Sequence, residues 1–276
     1  MGNRERATDM PDDAVRSALA QRWSRQLQDW AIPEELLAKA PESPWTFDPN
    51  GFRPLRDVPL NQTQLALVEL LARSAHRSVL DVGAGAGAAV LPIGSAIRSL
   101  LALDQNAEML EVLALESEAS PELLVETRVG DFFDLEPELG RFDVVTSQNV
   151  IYNISDLFGF LEGLLAHAEV GVVLEMTLHH PHYGLNLLWE EFHQLQRPTD
   201  PSVTDVIEAL TVLGVSPKMV IGPGLRRSSD PAQQVISTRK RLCLAPTEDR
   251  AIQAAIQAGR MLVNPTVTLI CERAGA

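Results

Sequence analysis

Hydrophobic positions along this chain change period twice. Between residues 12 and 30, Val15, Leu19, Trp23, Leu27 and Trp30 recur every three or four positions, which places them on one face of a helix. Pro33 suits the first position of a second, short helix because its φ is already helical. The stretch "APESPWTFDPNGFRP" is rich in turn formers, yet it carries Trp45, Phe47 and Phe52. From residue 61 the pattern becomes regular. "NQTQLALVELLARSA" reads as an amphipathic helix with Asn61 as its N-cap. The β-rich runs "SVLDVG", "SLLALD", "LLVETRVGD", "FDVVTSQ" and "VGVVLEMTL" follow, separated by helical segments. They are apolar on both faces, as parallel strands covered on both sides must be.

The distal third continues the alternation. "LNLLWEEFHQLQ" carries a helical stripe of Leu185, Leu188, Phe192 and Leu195 that Pro198 is expected to close. "SVTDVIEALTVLG" opens with a capping-box pair, Ser202 and Asp205, and stops at Gly214. "SPKMVIG" and "PTVTLICER" read as the last two strands, with helix starts between them at Asp230-Pro231 and Thr247. Strands alternating with helices predict an α/β fold, a doubly wound and mostly parallel seven-stranded sheet. The expected organisation is a helical N-terminal extension over 1–60 and a Rossmann-like domain over 61–276, with a helical insertion at 222–262 before the last strand. In such sheets ligands bind beyond the carboxyl ends of the strands. That rule singles out Gly83 to Gly87, Asp104, Asp131, Gln148 to Asn153, and Thr177 to His182.

Charge narrows the partners. A net charge of −14 opposes binding to a nucleic-acid backbone, which needs cationic patches. Cys243 and Cys271 sit in apolar contexts without metal-ligand spacing and read as reduced thiols. The polar start "MGNRERATDMPDD" lacks a secretory h-region, and no apolar run is long enough to cross a bilayer. A cytoplasmic protein with no nucleic-acid or membrane partner is expected.

The run "DVGAGAGAAV" at 81–90 holds the densest chemistry. Glycines between a strand and a helix let backbone amides approach a ligand. Gly83, Gly85 and Ala88 satisfy the looser dinucleotide pattern, whereas the absence of a Gly-Lys pair excludes a P-loop. Asp81 tips the balance. A carboxylate two residues ahead of the first glycine repels a pyrophosphate and welcomes a cation.

With Gly87 the stretch becomes D-x-G-x-G-x-G, which resembles the S-adenosylmethionine motif of class I methyltransferases. The resemblance implies S-adenosylmethionine as cofactor. It also implies that Asp104 accepts the ribose hydroxyls, with Gln105 and Met109 of "DQNAEML" flanking the adenosine. In "VGDFFDL", Asp131 takes the adenine amino group beside the backbone of Phe132, and Gln148 ends the fourth strand near the amino-acid part. "ALTVLGV" matches the family's leucine-glycine helix ending. The leader "WAIPEELLAKAPESPW" is similar to the N-terminal extension of a group of bacterial class I methyltransferases. Read alone, Asp104 and Asp131 are equally turn or cap residues, and the leader is either packing or a lid.

The acceptor is expected to be a small molecule, methylated by in-line displacement in which positioning does most of the work. Candidate catalytic groups are Tyr152, Glu175 and His179. Glu175 is an acid within an apolar strand, where an unpaired charge is costly; it serves either structure or orientation. His179 belongs to "HHPH" at 179–182, with His193 a further partner; these read as a base or, less simply, as metal ligands, and no metal is expected. Asn153 lacks the context of an N-P-P-Y motif, which disfavours nucleobase amines. Arg226 and Arg227 offer themselves to a carboxylated acceptor. Two rival readings remain at this level, a nicotinamide-dependent oxidoreductase and a non-catalytic S-adenosylmethionine-binding protein.

Overall fold

A computed structural model describes residues 12–45, 52–55, 58–224 and 230–273. The leader's three-to-four spacing folds as α1 (Asp12–Gln28) and a single turn, α2 (Glu34–Leu37). Pro33 stands at the N-cap of α2 rather than inside it, with φ −53° and ψ 135°, since its ring accepts extended backbone as readily as helix. Phe47 lies outside the described residues.

The sheet comprises β1 (Ser78–Val82), β2 (Ser99–Asp104), β3 (Leu124–Val129), β4 (Phe142–Gln148), β5 (Ala168–Thr177), β6 (Lys218–Ile221) and β7 (Thr266–Glu272). Their order is β3-β2-β1-β4-β5-β7-β6. All pairings are parallel except those of β7, which runs antiparallel to both neighbours. The expectation of strands buried on both faces fails at β3, and the other edge strand is open as well. Leu124 and Val129 on β3, and Met219 and Ile221 on β6, are exposed. An edge strand has a neighbour on one side only, so fewer side chains are covered.

Flanking the sheet are α3 (Gln62–Leu71), α4 (Ala107–Ser117), α5 (Phe132–Leu135), α6 (Leu157–His167), α7 (Asn186–His193), α8 (Val203–Val212), α9 (Pro231–Arg241) and α10 (Asp249–Gln257). Asn61 and Gln64 form a capping box at the start of α3, and Ser202 and Asp205 do the same for α8. α7 ends earlier than Pro198. Gln194 takes a left-handed conformation, and the Pro198 carbonyl accepts from Asn186 Nδ2 at 2.9 Å instead. Thr247 falls in a 3-10 turn, Pro246–Glu248, and α10 begins just after it.

One core packs α1, α6 and α8 on a sheet face around Trp23, Phe160 and Leu164; the other packs α3 around Leu67 and Leu70. A third cluster joins Ile32 of the leader to Leu188 and Trp189 of α7 and to Leu242 and Cys243 after α9. The leader therefore crosses the strand ends as a packed element. Trp23 is 1% exposed and donates to the Ile154 carbonyl at 2.7 Å, and Trp30 donates to that of Asp200 at 2.6 Å. Truncating such a residue costs about 3–5 kcal/mol. The half-exposed Arg16–Glu162 pair adds at most about 1 kcal/mol. The indoles, together with the leader's pairs Arg22–Asp205 and Glu42–Arg239, whose Asp205 and Arg239 ends are largely buried, hold the leader down. Among the described residues no helix is long and apolar enough to cross a membrane.

Candidate active site

The glycine loop leaves β1 with φ of +75° at Gly83, +54° at Gly85 and +84° at Gly87, a region that disfavours any residue with a Cβ. The three glycines differ in what surrounds them. A Cβ at Gly83 would stand 2.2 Å from Val150 Cγ2, and one at Gly87 would stand 2.6 Å from Leu91 Cδ1. At Gly85 nothing lies within 4 Å. The outer glycines admit close packing, and the middle one turns bare backbone to open space. No α-helix follows the loop. A 3-10 turn, Leu91–Ala96, with Pro92 early in it, replaces the expected helix, because the short link to β2 is broken by Pro92 and Gly94.

Asp81 lies beneath the loop, 0% exposed, and neither carboxylate oxygen has a hydrogen-bond partner. Burial, followed by the nearby charge of Asp104, pushes it up to about 8. Asp104 at the end of β2 accepts from Gly85 N through Oδ2 and from Asn106 N through Oδ1, both at 2.8 Å. A carboxylate has about four acceptor positions, so two remain for other donors. Asp131 caps α5 through Phe133 N at 2.9 Å and takes Gln105 Nε2 at 2.6 Å. Met109 and the Phe132 ring are buried, the latter edge-on to Phe160, which leaves the main chain of Phe132 as its free contribution.

Across β1, the end of β4 brings Gln148 beside Thr146 and then Asn149 at φ +60°. Asn149 is held by two bonds to Glu175, which is itself held by a third. Its main-chain N–H donates to the Glu175 carbonyl at 2.7 Å, its Nδ2 donates to Glu175 Oε1 at 3.1 Å, and Glu175 Oε2 accepts from Thr63 Oγ1 at 2.5 Å. Thr63 in turn lies 2.7 Å from Thr268. This leaves Asn149 Oδ1 buried and without a partner. The acid in the apolar strand thus orients an amide. Asn149 lies within the Gln148 to Asn153 stretch that the strand-end rule marks, but the sequence gives it no role of its own; an asparagine directly after a strand, a type enriched among non-glycine residues at positive φ, was the available signal.

Beyond β5 the histidines separate. His179 Nδ1 lies 3.0 Å from the Thr199 carbonyl, so it carries the proton and Nε2 keeps a lone pair. His180 stacks on Trp30 and His182 on Trp45. His193 Nε2 bonds the Leu242 carbonyl and takes no part in this group. Tyr152 is 5% exposed and donates to the Thr177 carbonyl at 2.8 Å, and burial pushes its phenol further up. A phenol so held is a poor proton acceptor. No three His, Cys, Asp or Glu side chains among the described residues are arranged to hold a metal. Arg226 and Arg227 lie outside the described residues. A cavity of about 350 Å³ between β5, β7 and the residues after α8 lies at the opposite end of the strands, with Gly171, Cys271, Glu272 and Arg273 in its lining.

Residues 79–171 match the family model of a methyltransferase domain. No curated protein sequence matches the chain. Among solved structures, magnesium protoporphyrin IX methyltransferase from Synechocystis, determined with bound SAH, is 14% identical over 79% of this chain and 90% of its own, with a TM-score of 0.50. An O-methyltransferase of tomaymycin synthesis from Streptomyces achromogenes, in complex with SAM, is 14% identical over 95% of this chain and 96% of its own, with a TM-score of 0.46. The sheet order and the flanking helices are those of the class I methyltransferase fold.

Proposed function

We propose that this chain transfers a methyl group from S-adenosylmethionine to a small-molecule acceptor. Enzyme class and cofactor follow from the methyltransferase domain over residues 79–171 on the class I fold; the acceptor and the residue roles are our inference. The observation that carries the reading is Asp81, a buried acid with two bare oxygens behind a glycine loop. Such a group fits a cationic ligand and opposes a pyrophosphate.

In this reading Gly83, Gly85 and Gly87 bring main chain against the cofactor, and Asp81 and Asn149 Oδ1 face its ammonium. Glu175 is a positioning residue that acts through Asn149. Asp104 offers its two remaining acceptor positions to the ribose hydroxyls. Asp131, the Phe132 main chain, Gln105 and Met109 border the adenine, and Gln148 borders the amino-acid part. When bound, S-adenosylmethionine would supply a sulfonium-activated methyl whose carbon bonds to an acceptor lone pair as the S–CH3 bond breaks, the pair staying on sulfur as S-adenosylhomocysteine leaves. The chain's task is then to hold the acceptor and receive its proton. His179 Nε2 is the base, because Thr199 fixes its tautomer and leaves that nitrogen a lone pair. The leader over 1–60, with its resemblance to a bacterial methyltransferase extension, and the insertion at 222–262 wall the acceptor side of the 61–276 domain.

Calorimetry against S-adenosylmethionine, S-adenosylhomocysteine and NAD tests this. Micromolar binding of the first two is expected. Binding of NAD alone sinks it.

A further inference from the structure

Methyl transfer as described leaves one buried acid without a counterpart in the chain. Asp81 lies on β1 between β2 and β4, in register with Ala102 and Thr146, and is 0% exposed. Neither of its oxygens has a hydrogen-bond partner, because the donors around it are committed elsewhere. In the glycine loop, Gly83 N and Ala84 N both donate to the Leu103 carbonyl, at 2.8 and 2.9 Å. Gly85 N donates to Asp104 at 2.8 Å, and Gly87 N to the Ala84 carbonyl at 3.1 Å. On β4, the Thr146 hydroxyl donates to the Val173 carbonyl and the Ser147 hydroxyl to the Val82 carbonyl.

The charge that reaches Asp81 has its own sign. Among the described residues Asp104, at the end of β2, is the one charged group that acts on it; its neighbours on β4 and in the loop are uncharged. Asp104 accepts from two main-chain N–H groups, whereas Asp81 accepts from none. An ionised carboxylate with neither water nor a donor is costly, so the proton stays with Asp81. Burial, and after it Asp104, pushes this carboxyl up to about 8.

We propose that Asp81 carries a proton in the cofactor-free protein and gives it up to water when the cofactor's ammonium arrives, so that cofactor binding is coupled to the loss of one proton. The inference rests on the methyltransferase reading and adds the charge state in which the site receives its cofactor. One O–H bond breaks, its electron pair stays on the Asp81 oxygen, and the ammonium keeps all its protons. A buried ion pair thereby replaces a buried neutral acid. The acid also selects the amino-acid end of the ligand, since an adenosine compound without an ammonium leaves the proton in place. Affinity then rises with pH by about tenfold per unit while the free protein is protonated and the complex is not. The rise ends as pH passes about 8.

The test is calorimetry of S-adenosylhomocysteine binding to the full chain at pH 6.5, in PIPES and in imidazole. The heats of ionisation of these buffers differ, so the two apparent enthalpies count the protons released. Release of about one proton is expected from the unmodified chain. In Asp81→Asn, which has no such proton to lose, the count should fall by about one. With methylthioadenosine, which lacks the ammonium, it should fall by the same amount. From pH 6 to pH 7 the affinity of the unmodified chain for S-adenosylhomocysteine should rise about tenfold, and that for methylthioadenosine should stay level. An equal proton count for the unmodified chain and Asp81→Asn overturns the proposal and leaves the methyltransferase reading standing, as does an affinity for S-adenosylhomocysteine that ignores pH. Where Asp81→Asn binds too weakly to titrate, the comparison with methylthioadenosine decides in the same way. Failure of S-adenosylhomocysteine to bind the unmodified chain overturns both.

Discussion

The rim over β1 and β2 and the rim beyond β5 share one edge of one sheet, yet they are made of opposite materials. Over β1 and β2 the parts are glycine backbone and acids, Asp81, Asp104 and Asp131, contributed by residues within about fifty positions of one another. Beyond β5 the parts are rings and guanidiniums from the leader, the β5 end, the α7 exit and α9, as far apart in sequence as Trp30 and Arg241. The first side is organised by local backbone demands, the second by packing between distant segments. The difference teaches that the two rims draw on separate structural resources, so each should fail without the other.

The largest effect is expected at Gly83. Gly83→Ala drives a Cβ into Val150 and should cost about 2–3 kcal/mol in chemical denaturation, with S-adenosylhomocysteine binding lost. Gly85→Ala sharpens the contrast. It meets no atom, so only about 1–2 kcal/mol of left-handed strain is expected, while calorimetry should show cofactor affinity reduced far more than stability.

Asp81→Asn tests the acid side next. The folded pKa of about 8 lies above the ordinary 3.8, so the folded state holds a proton that the unfolded state releases as pH rises between those values. Stability from this group therefore falls from pH 4 to pH 8. Thermal melts of the ligand-free variant should run above the unmodified chain at pH 8, the gap closing by pH 4, while its affinity for S-adenosylhomocysteine drops at least about tenfold. A variant that melts lower at pH 8 breaks the assignment.

Smaller and more selective is the relay behind Asn149. Asn149→Ala and Glu175→Gln should weaken S-adenosylhomocysteine by about threefold to tenfold yet leave methylthioadenosine, which lacks the ammonium, unchanged. Equal losses for both ligands mean that the network only supports the loop. Smallest is Tyr152→Phe, which removes the bond to the Thr177 carbonyl; denaturation should fall by about 1 kcal/mol with cofactor binding intact.

Much of the backbone geometry over β1 and β2 was legible because it depends on local rules. The N-cap Asn61, the strand-ending Asp104 and the three alternate glycines each announce a backbone geometry within a few residues. Glu175 was visible as an anomaly in an apolar strand, but its partners Thr63 and Asn149 lie 112 and 26 positions away. Nothing local assigns it to an amide rather than to an acceptor. The edge strand β3 misled for a related reason, since composition does not say which strand has a neighbour missing.

By itself the sequence determined the alternation of strands and helices, the positive-φ loop after β1 and the indole-bearing face of α1, all of which follow from residue periodicity and the steric limits on φ and ψ. Tertiary structure alone decided that Asp81 has no partner, that the Tyr152 phenol is held by a carbonyl, and that Trp30, His180 and Arg197 meet. Burial and pairing are properties of what the chain brings from elsewhere, and a carboxylate or a guanidinium acquires its chemistry only when those neighbours have displaced its water.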